Sequence, residues 1–456
     1  MISTKGRTSA GFSRPRLRHL VIAIAAIIQS PPLFAVTKTV TSCGDTVGDN
    51  GSLRSQILAA AENDTIDLST LSCANSVITL EQGVIPIAVG NLTVSGSATK
   101  RLAVSGNNLD RVFEAKVAGT FTIDNLTVEK GSFTTPQFSR ALVSGGCVYS
   151  LNGGVALNNA TVTGCSVIDD TQRTTSGQGA QGGAISTPNG NVTMSHSTVS
   201  DSFVDSIDAN YSTHGGCIAT HTLIASYSTI SGCIALGGSS ANSAGGGAVV
   251  DLAIISLSTI YNNAASAGGG LEIEGGASVA SAIYESTISG NSGGYGGAIE
   301  STNPLTIVSS TIAFNHGFGA AGIYISGGKL TLQSSILANN ADSSGKRNDL
   351  RLGLNGSLAG ADNIITHTTE TLPPNTITAD PQLAPLAMHG GFTPVHAFNR
   401  TSPALDAGAN PLELSIDQRG VGFPRTFGSS TDIGAYESQG VHDDEIFYDG
   451  LERFTD

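Results

Sequence analysis

The sequence predicts an all-β protein, a single-stranded right-handed parallel β-helix with a short N-terminal capping helix and an irregular C-terminal cap. Three observations carry that prediction. The 456 residues include 57 Gly and no Trp, and only 13% are charged, a composition that suits tightly turning strands better than helix bundles. A Gly-rich step opens a short strand seven times, at GGCVYS (145), GGAIST (182), GGCIAT (215), GGAVVD (246), GGLEIE (269), GGAIES (296) and AGIYIS (321). A second signature follows each, in turn NATVTGC, HSTVSDS, YSTISGC, LSTIYNN, ESTISGN, SSTIAFN and SSILANN.

Taking the Thr or Ser before the aliphatic residue as a marker gives positions 161, 198, 229, 259, 287, 311 and 335, with spacings of 37, 31, 30, 28, 24 and 24. A period falling to the low twenties and built of short strands is that of a β-solenoid. One coil cannot bury its own Ile, Val and Leu; coils stacked about 4.8 Å apart pair backbones and align like side chains in ladders. The extra residues of the early coils, 169–181 and 205–213, are expected as loops on one side. Four residues past each marker stands Cys165, Ser202, Cys233, Asn263, Asn291, Asn315 or Asn339, a structural ladder at a turn.

The chain divides by composition into 1–35, a signal peptide; 36–120, an N-terminal cap and first coils; 121–345, the repeats; 346–437, C-terminal coils and cap; and 438–456, an acidic tail. Lys5, Arg7, Arg14, Arg16 and Arg18 precede the apolar run Leu20–Ile28, and PPLFA offers cleavage after Ala35. An uncleaved anchor is the alternative, although the run is shorter than the ~20 residues that span a bilayer. Ser52 is a plausible N-cap for a helix with Leu53, Ile57 and Ala60 on one face.

All six Cys lie beyond the signal, and an even number in an exported chain points to disulfides. The two coils with Cys in the ladder are also the two with Cys after the double glycine. This pairs Cys147 with Cys165 and Cys217 with Cys233, and leaves Cys43 with Cys73 across the capping helix. The formal charge of −14 and the absence of basic clusters after residue 20 exclude nucleic acid as a partner. No transmembrane helix is expected in the mature chain.

One constellation bears chemistry. Aligning the Gly-Gly steps puts Glu272 and Glu300 at one position of adjacent coils, with Glu274 two residues on and Asp251 one coil before. Such stacking suits a solvated acidic face, a Ca²⁺ site with hard oxygen ligands, or a general acid/base pair. The expectation is an acidic face with at most weak Ca²⁺ binding by Glu272, Glu274 and Glu300, no other cofactor and no catalytic residue. No Arg stands between Arg173 and Arg347, and Lys329 and Lys346 are the only lysines between them, which leaves little for lyase chemistry. His196, His214, His221 and His316 fall in separate coils and receive no role. Asp406, Asp417, Arg419, Asp432 and Glu437 are read as ion pairs locking the cap.

Several stretches carry family resemblance. SLRSQI with DTIDLSTLSC and ITLEQGVIPI resembles the N-terminal segment of secreted bacterial β-helix proteins named for a Cys-Ser-Leu-Arg-Glu-Ala motif, with Gly51 in place of the Cys. SGNSGGYGGAI (289–299) resembles polymorphic outer-membrane protein repeats, with Ile288 where Phe is common. The stretch 380–437, with DPQLAPLAMHGGFTPVHAFNRTSPALDAG, DQRGVGFPR and DIGAYE, is similar to the choice-of-anchor Q domain. The tail DDEIFYDGLERFTD is similar to short aromatic tails of exported bacterial proteins. These resemblances imply a pectate-lyase-like solenoid exported to the outer membrane or the medium. The expected function is an adhesive or interaction scaffold that meets extracellular polysaccharide or a host or neighbour surface. The alternative is a polysaccharide lyase or glycoside hydrolase on the same fold.

Overall fold

The computed structural model describes residues 35–46, 48–135, 143–170, 177–206, 211–237, 243–275 and 280–440. The signal segment and the acidic tail expected from the sequence lie outside them. The described strands wind into a parallel β-helix. Every paired strand is parallel to its neighbour one coil away, as in Thr259↔Thr287 and Thr287↔Thr311. Face 1 is a 17-stranded sheet to which a coil contributes two segments, such as Val148–Ser150 and Gly154–Asn158. Face 2 is an 11-stranded sheet of short strands, from the four residues of Leu102–Ser105 to the two of Ile364–Ile365, that includes Thr161–Thr163 and Thr287–Ser289. Face 3 is broken into sheets of four, three and two strands.

Alternation sets the core. Ile230, Ile260, Ile288, Ile312 and Leu337 are aligned on face 2 and are 0–2% exposed, each contributing about 2–3 kcal/mol by burial. One apolar column runs from Val40 to Ile365. At its start Ser52 caps the helix Leu53–Leu58 by accepting from Ser55 N, which turns Leu53 and Ile57 inward. Arg54 of the same helix is buried and donates to both carboxylate oxygens of Asp45 and to the carbonyls of Gly83 and Val84.

The corners explain the repeated phrase. The first corner glycines, Gly145, Gly182, Gly215, Gly245, Gly268 and Gly296, hold a left-handed backbone, with φ of 59° at Gly182 and 69° at Gly215, where an L side chain is strained; Gly245 and Gly268 stand one residue ahead of the steps counted from 246 and 269. The second Gly lies against the next coil: a Cβ on Gly183 would stand 2.1 Å from the carbonyl oxygen of Gly216. Conformation demands one glycine and close approach the other. Between faces 1 and 2, left-handed residues recur at Asn159, His196, Tyr227, Leu257, Glu285, Ser309 and Ser334.

The ladder after the face 2 strand is made by backbone N–H donation to the next coil. Asn263, Asn291 and Asn315 accept at 3.0 Å from Cys233, Asn263 and Asn291. In the following coil the acceptor is Asn340, not Asn339. Thr311 pairs with Ile336 rather than Ser335, so the last marker is one residue early. Asn339, with φ 59°, occupies the left-handed position that Gly232 and Gly290 fill elsewhere. A second ladder runs at the preceding corner, where Ser197, Ser228, Ser258, Ser286 and Ser310 N each donate to the next serine Oγ at 3.1–3.2 Å.

The structure joins Cys43 to Cys73, Cys147 to Cys165 and Cys217 to Cys233. Two expectations need correction. The insertions at 169–181 and 205–213 end as strands, Gly177–Gln181 and Tyr211–His214, which pair with each other and with Ser243–Ala244. A small second core of Val143, Val167, Ala180, Val204 and Ala235 lies beside this layer. Residues 380–440 do not simply close the end of the solenoid. They run back as a strap over the outer side of face 2, because that face presents Thr and Ser hydroxyls that the strap satisfies. Thr287 donates to Gln418 Oε1, Gln418 donates to Thr259, and Thr311 accepts from Ala435 N.

Candidate functional site: a carboxyl-lined groove at the glycine corner

Two outward columns flank the Gly-Gly corner. On face 1, pairing aligns Ser186, Ala219, Val249, Glu272, Glu300, Tyr324 and Arg351. On the last strand of face 3, Gln181, His214, Ala244, Ala267, Tyr295 and Ala320 align. The glycines between them carry no side chain, and Ala244 and Ala267 are small, so the columns bound a groove along the helix axis.

The sequence alignment of the acids holds in space: Glu272 and Glu300 are Cα partners. Glu272 is 5% exposed, with its Oε2 over Gly268, where a Cβ would stand 2.5 Å away. Burial, then the charges of Glu300 and Glu274, hold its carboxyl well above the usual range. Glu300 is less covered, and burial together with the Glu274 charge raises it to about 7. His214 faces Glu274; burial lowers its imidazole while the Glu274 charge partly offsets that shift. Glu272 Oε2, Glu300 Oε2 and His214 Nδ1 are buried and have no hydrogen-bond partner among the described residues.

Beside these groups opens a cavity of about 240 Å³, with Gln181, His214, His221, Asp251 and Glu274 in its wall. His221 Nδ1 lies 2.5 Å from Asp251 Oδ2. The site therefore holds one carboxyl raised to about 7, a second driven well up by burial, the Glu274 and Asp251 side chains in the cavity wall, and two imidazoles. That set can give and take protons. Among the described residues no group of three or more His, Cys, Asp or Glu is placed to hold a metal.

The two histidines are what sequence reasoning missed. The signal was the 30-residue register: Thr220 pairs with Val250 and Thr222 with Leu252, which puts His221 opposite Asp251. His214 stands immediately before its corner glycine, as Gln181 and Tyr295 do. Of the five residues read as ion pairs of the cap, Asp417 pairs with Arg419 and Glu437 lies near Arg425, whereas Asp406 accepts from Ser429 and Ser430 N and Asp432 from Asp406 and Ser438 N. Arg419 is buried, donates to Asp417 Oδ2 at 2.6 Å and lies 4.1 Å from the Phe423 and Tyr436 ring centroids. Arg425 reaches Glu285 at 3.4 Å and Glu437 at 3.9 Å, tying the strap to the solenoid.

Fold and groove together define a parallel β-helix protein with an acidic corner cleft. Comparison with solved structures finds a pectate lyase, Pel9A, with 14% identity and a TM-score of 0.47 over 88% of this chain and 97% of that one. It also finds the periplasmic alginate epimerase AlgG, with 11% identity and a TM-score of 0.38 over 69% and 84%. These are likenesses of fold alone. No family model and no curated protein matches the chain, so the choice-of-anchor Q and outer-membrane repeat resemblances rest on their short motifs. Among the described residues no helix is long and apolar enough to cross a membrane.

Proposed function

We propose that the chain is an exported, glycan-active β-helix protein that hydrolyses a glycosidic bond in the corner groove. The observation that carries this is Glu300, a carboxyl raised to about 7 by burial and by Glu274, which itself lies in the wall of the open cavity. Glycoside hydrolysis needs one carboxylic acid and one carboxylate flanking the bond. In this reading Glu300 gives its proton to the glycosidic oxygen as the bond to the anomeric carbon breaks. Glu274 takes a proton from the water whose oxygen bonds to that carbon. Glu272, its carboxyl driven well up by burial, stands beside Glu300, and the His221–Asp251 pair hydrogen-bonds sugar hydroxyls. A β-elimination is less well served, since no Arg or Lys lines the cavity to take the proton.

Three disulfides support an oxidising, exported setting. Surface attachment through residues 380–456 belongs to the same proposal, and fractionation of cells carrying a tail deletion checks it. The enzyme reading is checked by incubating the mature protein with neutral and acidic polysaccharides and measuring new reducing ends. E300Q and E274Q are each expected to lower the rate by at least about 100-fold with folding intact. Activity should fall as pH rises through about 7, where Glu300 loses its proton. Binding without any new reducing ends returns the chain to the interaction-scaffold reading.

A further inference from the structure

The acid column does not end at Glu300. Its next two positions are Tyr324 and Arg351, each the Cα partner of the one before. At about 4.8 Å per coil, Arg351 stands about 10 Å along the axis from Glu300, within reach of the same glycan chain. The facing column supplies Tyr295, whose ring lies 5.5 Å from that of Tyr324. Tyr295 is 47% exposed and Phe318 86%, a rare placement for rings in a chain whose residues are only 5% aromatic. A Cβ on Gly319 would stand 2.4 Å from the Tyr295 ring, so glycine there lets the ring lie flat along the groove.

The far wall is a turn built to present charge. Asp342 Oδ1 accepts from Ser344 N and Lys346 N, both at 2.9 Å, and from the Ser344 hydroxyl. Asp342 Oδ1 is occupied by its own turn, and Asp342 lines a cleft of about 410 Å³ together with Lys346, Arg351, Tyr295, Phe318 and Asn348. The scarcity of cations before residue 346 reads differently once the chain is coiled, because the fold returns two of them to the acid groove.

The geometry points to a binding subsite for an anionic sugar, carboxylated or sulfated, at Tyr295, Phe318, Lys346 and Arg351, with the glycan running along the helix axis toward Glu300. The rings stack on sugar faces and the two cations take the acidic group. This deepens the proposed hydrolysis by naming its substrate as an acidic glycan, and it is tested apart from it. Binding is measured on the full mature chain carrying E300Q, using a galacturonan oligosaccharide, a chondroitin sulfate oligosaccharide and a neutral xylan oligosaccharide, at low and high salt.

At least one anionic oligosaccharide is expected to bind about tenfold or more tightly than the neutral one, with salt weakening it. K346M/R351M should remove that preference, and Y295A/F318A should weaken all ligands; both pairs are exposed enough that melting temperatures stay at the parent value. The preferred anion distinguishes carboxylate from sulfate. Equal binding of neutral and anionic ligands, no binding of any, or a K346M/R351M variant that keeps the preference would overturn the subsite. Anionic binding without cleavage by the parent protein leaves the subsite standing and removes the hydrolysis.

Discussion

At the scale of single residues, stability is decided by which side chain receives the neighbouring coil's N–H. Asn340 accepts from Asn315 N and Nδ2 and donates to the carbonyl of Ile312, whereas Asn339 only holds a left-handed turn. Replacing Asn340 with Ala leaves buried donors and an acceptor unpaired and is expected to cost about 2–4 kcal/mol. Asn339→Gly should stay within about 0.5 kcal/mol of the parent, since glycine adopts that φ freely. Denaturant unfolding of the two variants checks the assignment, and equal losses would contradict it. Sequence counting missed this by one residue because the last coil carries Ile336-Leu337 where earlier ones carry Thr-Ile, so that Ser335-Ile336 takes their place in the count. The inward phase of the same strands was legible from alternation alone. Ile288 and Ile312 are fully buried, and Ile288→Asp or Ile312→Asp, which buries an unpaired carboxyl, should lower stability by several kcal/mol.

At the scale of elements, the strap and the solenoid hold each other through charge. Glu285 lies at the corner between faces 1 and 2, and burial drives its carboxyl well up while Arg425 pulls it down. Arg425→Met removes that counterion and should cost about 3–5 kcal/mol. Amide exchange is expected to rise over 257–338, the part of face 2 that the strap covers, and R425M/E285Q should recover part of the loss. A change confined to the strap would show that the ion pair does not couple the two. The pairing of Asp and Arg was readable as structural from their company of Pro and Gly. Where the strap lies was not, since that depends on the outward hydroxyls of Thr259, Thr287 and Thr311, which look like ordinary solvent-facing positions in a repeat. The groove was half legible for a related reason. Glu272 and Glu300 share a phase of the repeat and align at once, but His214, Tyr295 and Arg351 come from segments whose register the variable insertions obscure.

At the scale of the whole molecule, the unusual groups act together on stability against pH. Burial leads in raising Glu300 to about 7, Asp432 to about 6 and Glu437 to about 8, from ordinary values of 4.5 for Glu and 3.8 for Asp. Between those limits the folded chain holds protons that the unfolded chain has released, so stability is complete at the low end and is lost as pH rises. His396, buried against Ala384 and Ser289, is lowered from 6.5 to about 4; its contribution is complete above 6.5 and is lost as pH falls toward 4. The three carboxyls outweigh the one imidazole, so the melting temperature is expected to climb from pH 8.5 down to about 6.5, to climb more slowly from there to about 4.5, and to level off near 4. Glu437→Gln should flatten the upper limb, because the amide stays neutral while its oxygen still accepts from Phe427 or Asp432 N. His396→Gln should steepen the climb below pH 6.5, because it removes the opposing loss. The pH range that stabilises the strap is also the one in which Glu300 keeps its proton, so glycan cleavage and thermal stability should decline together from pH 6 to pH 8 in the parent. In E437Q the cleavage should still decline while the stability holds nearly level. Stability rising steadily over that range in the parent would mean that the buried carboxyls are ionised in the fold, and with them the acid on which the chemistry depends.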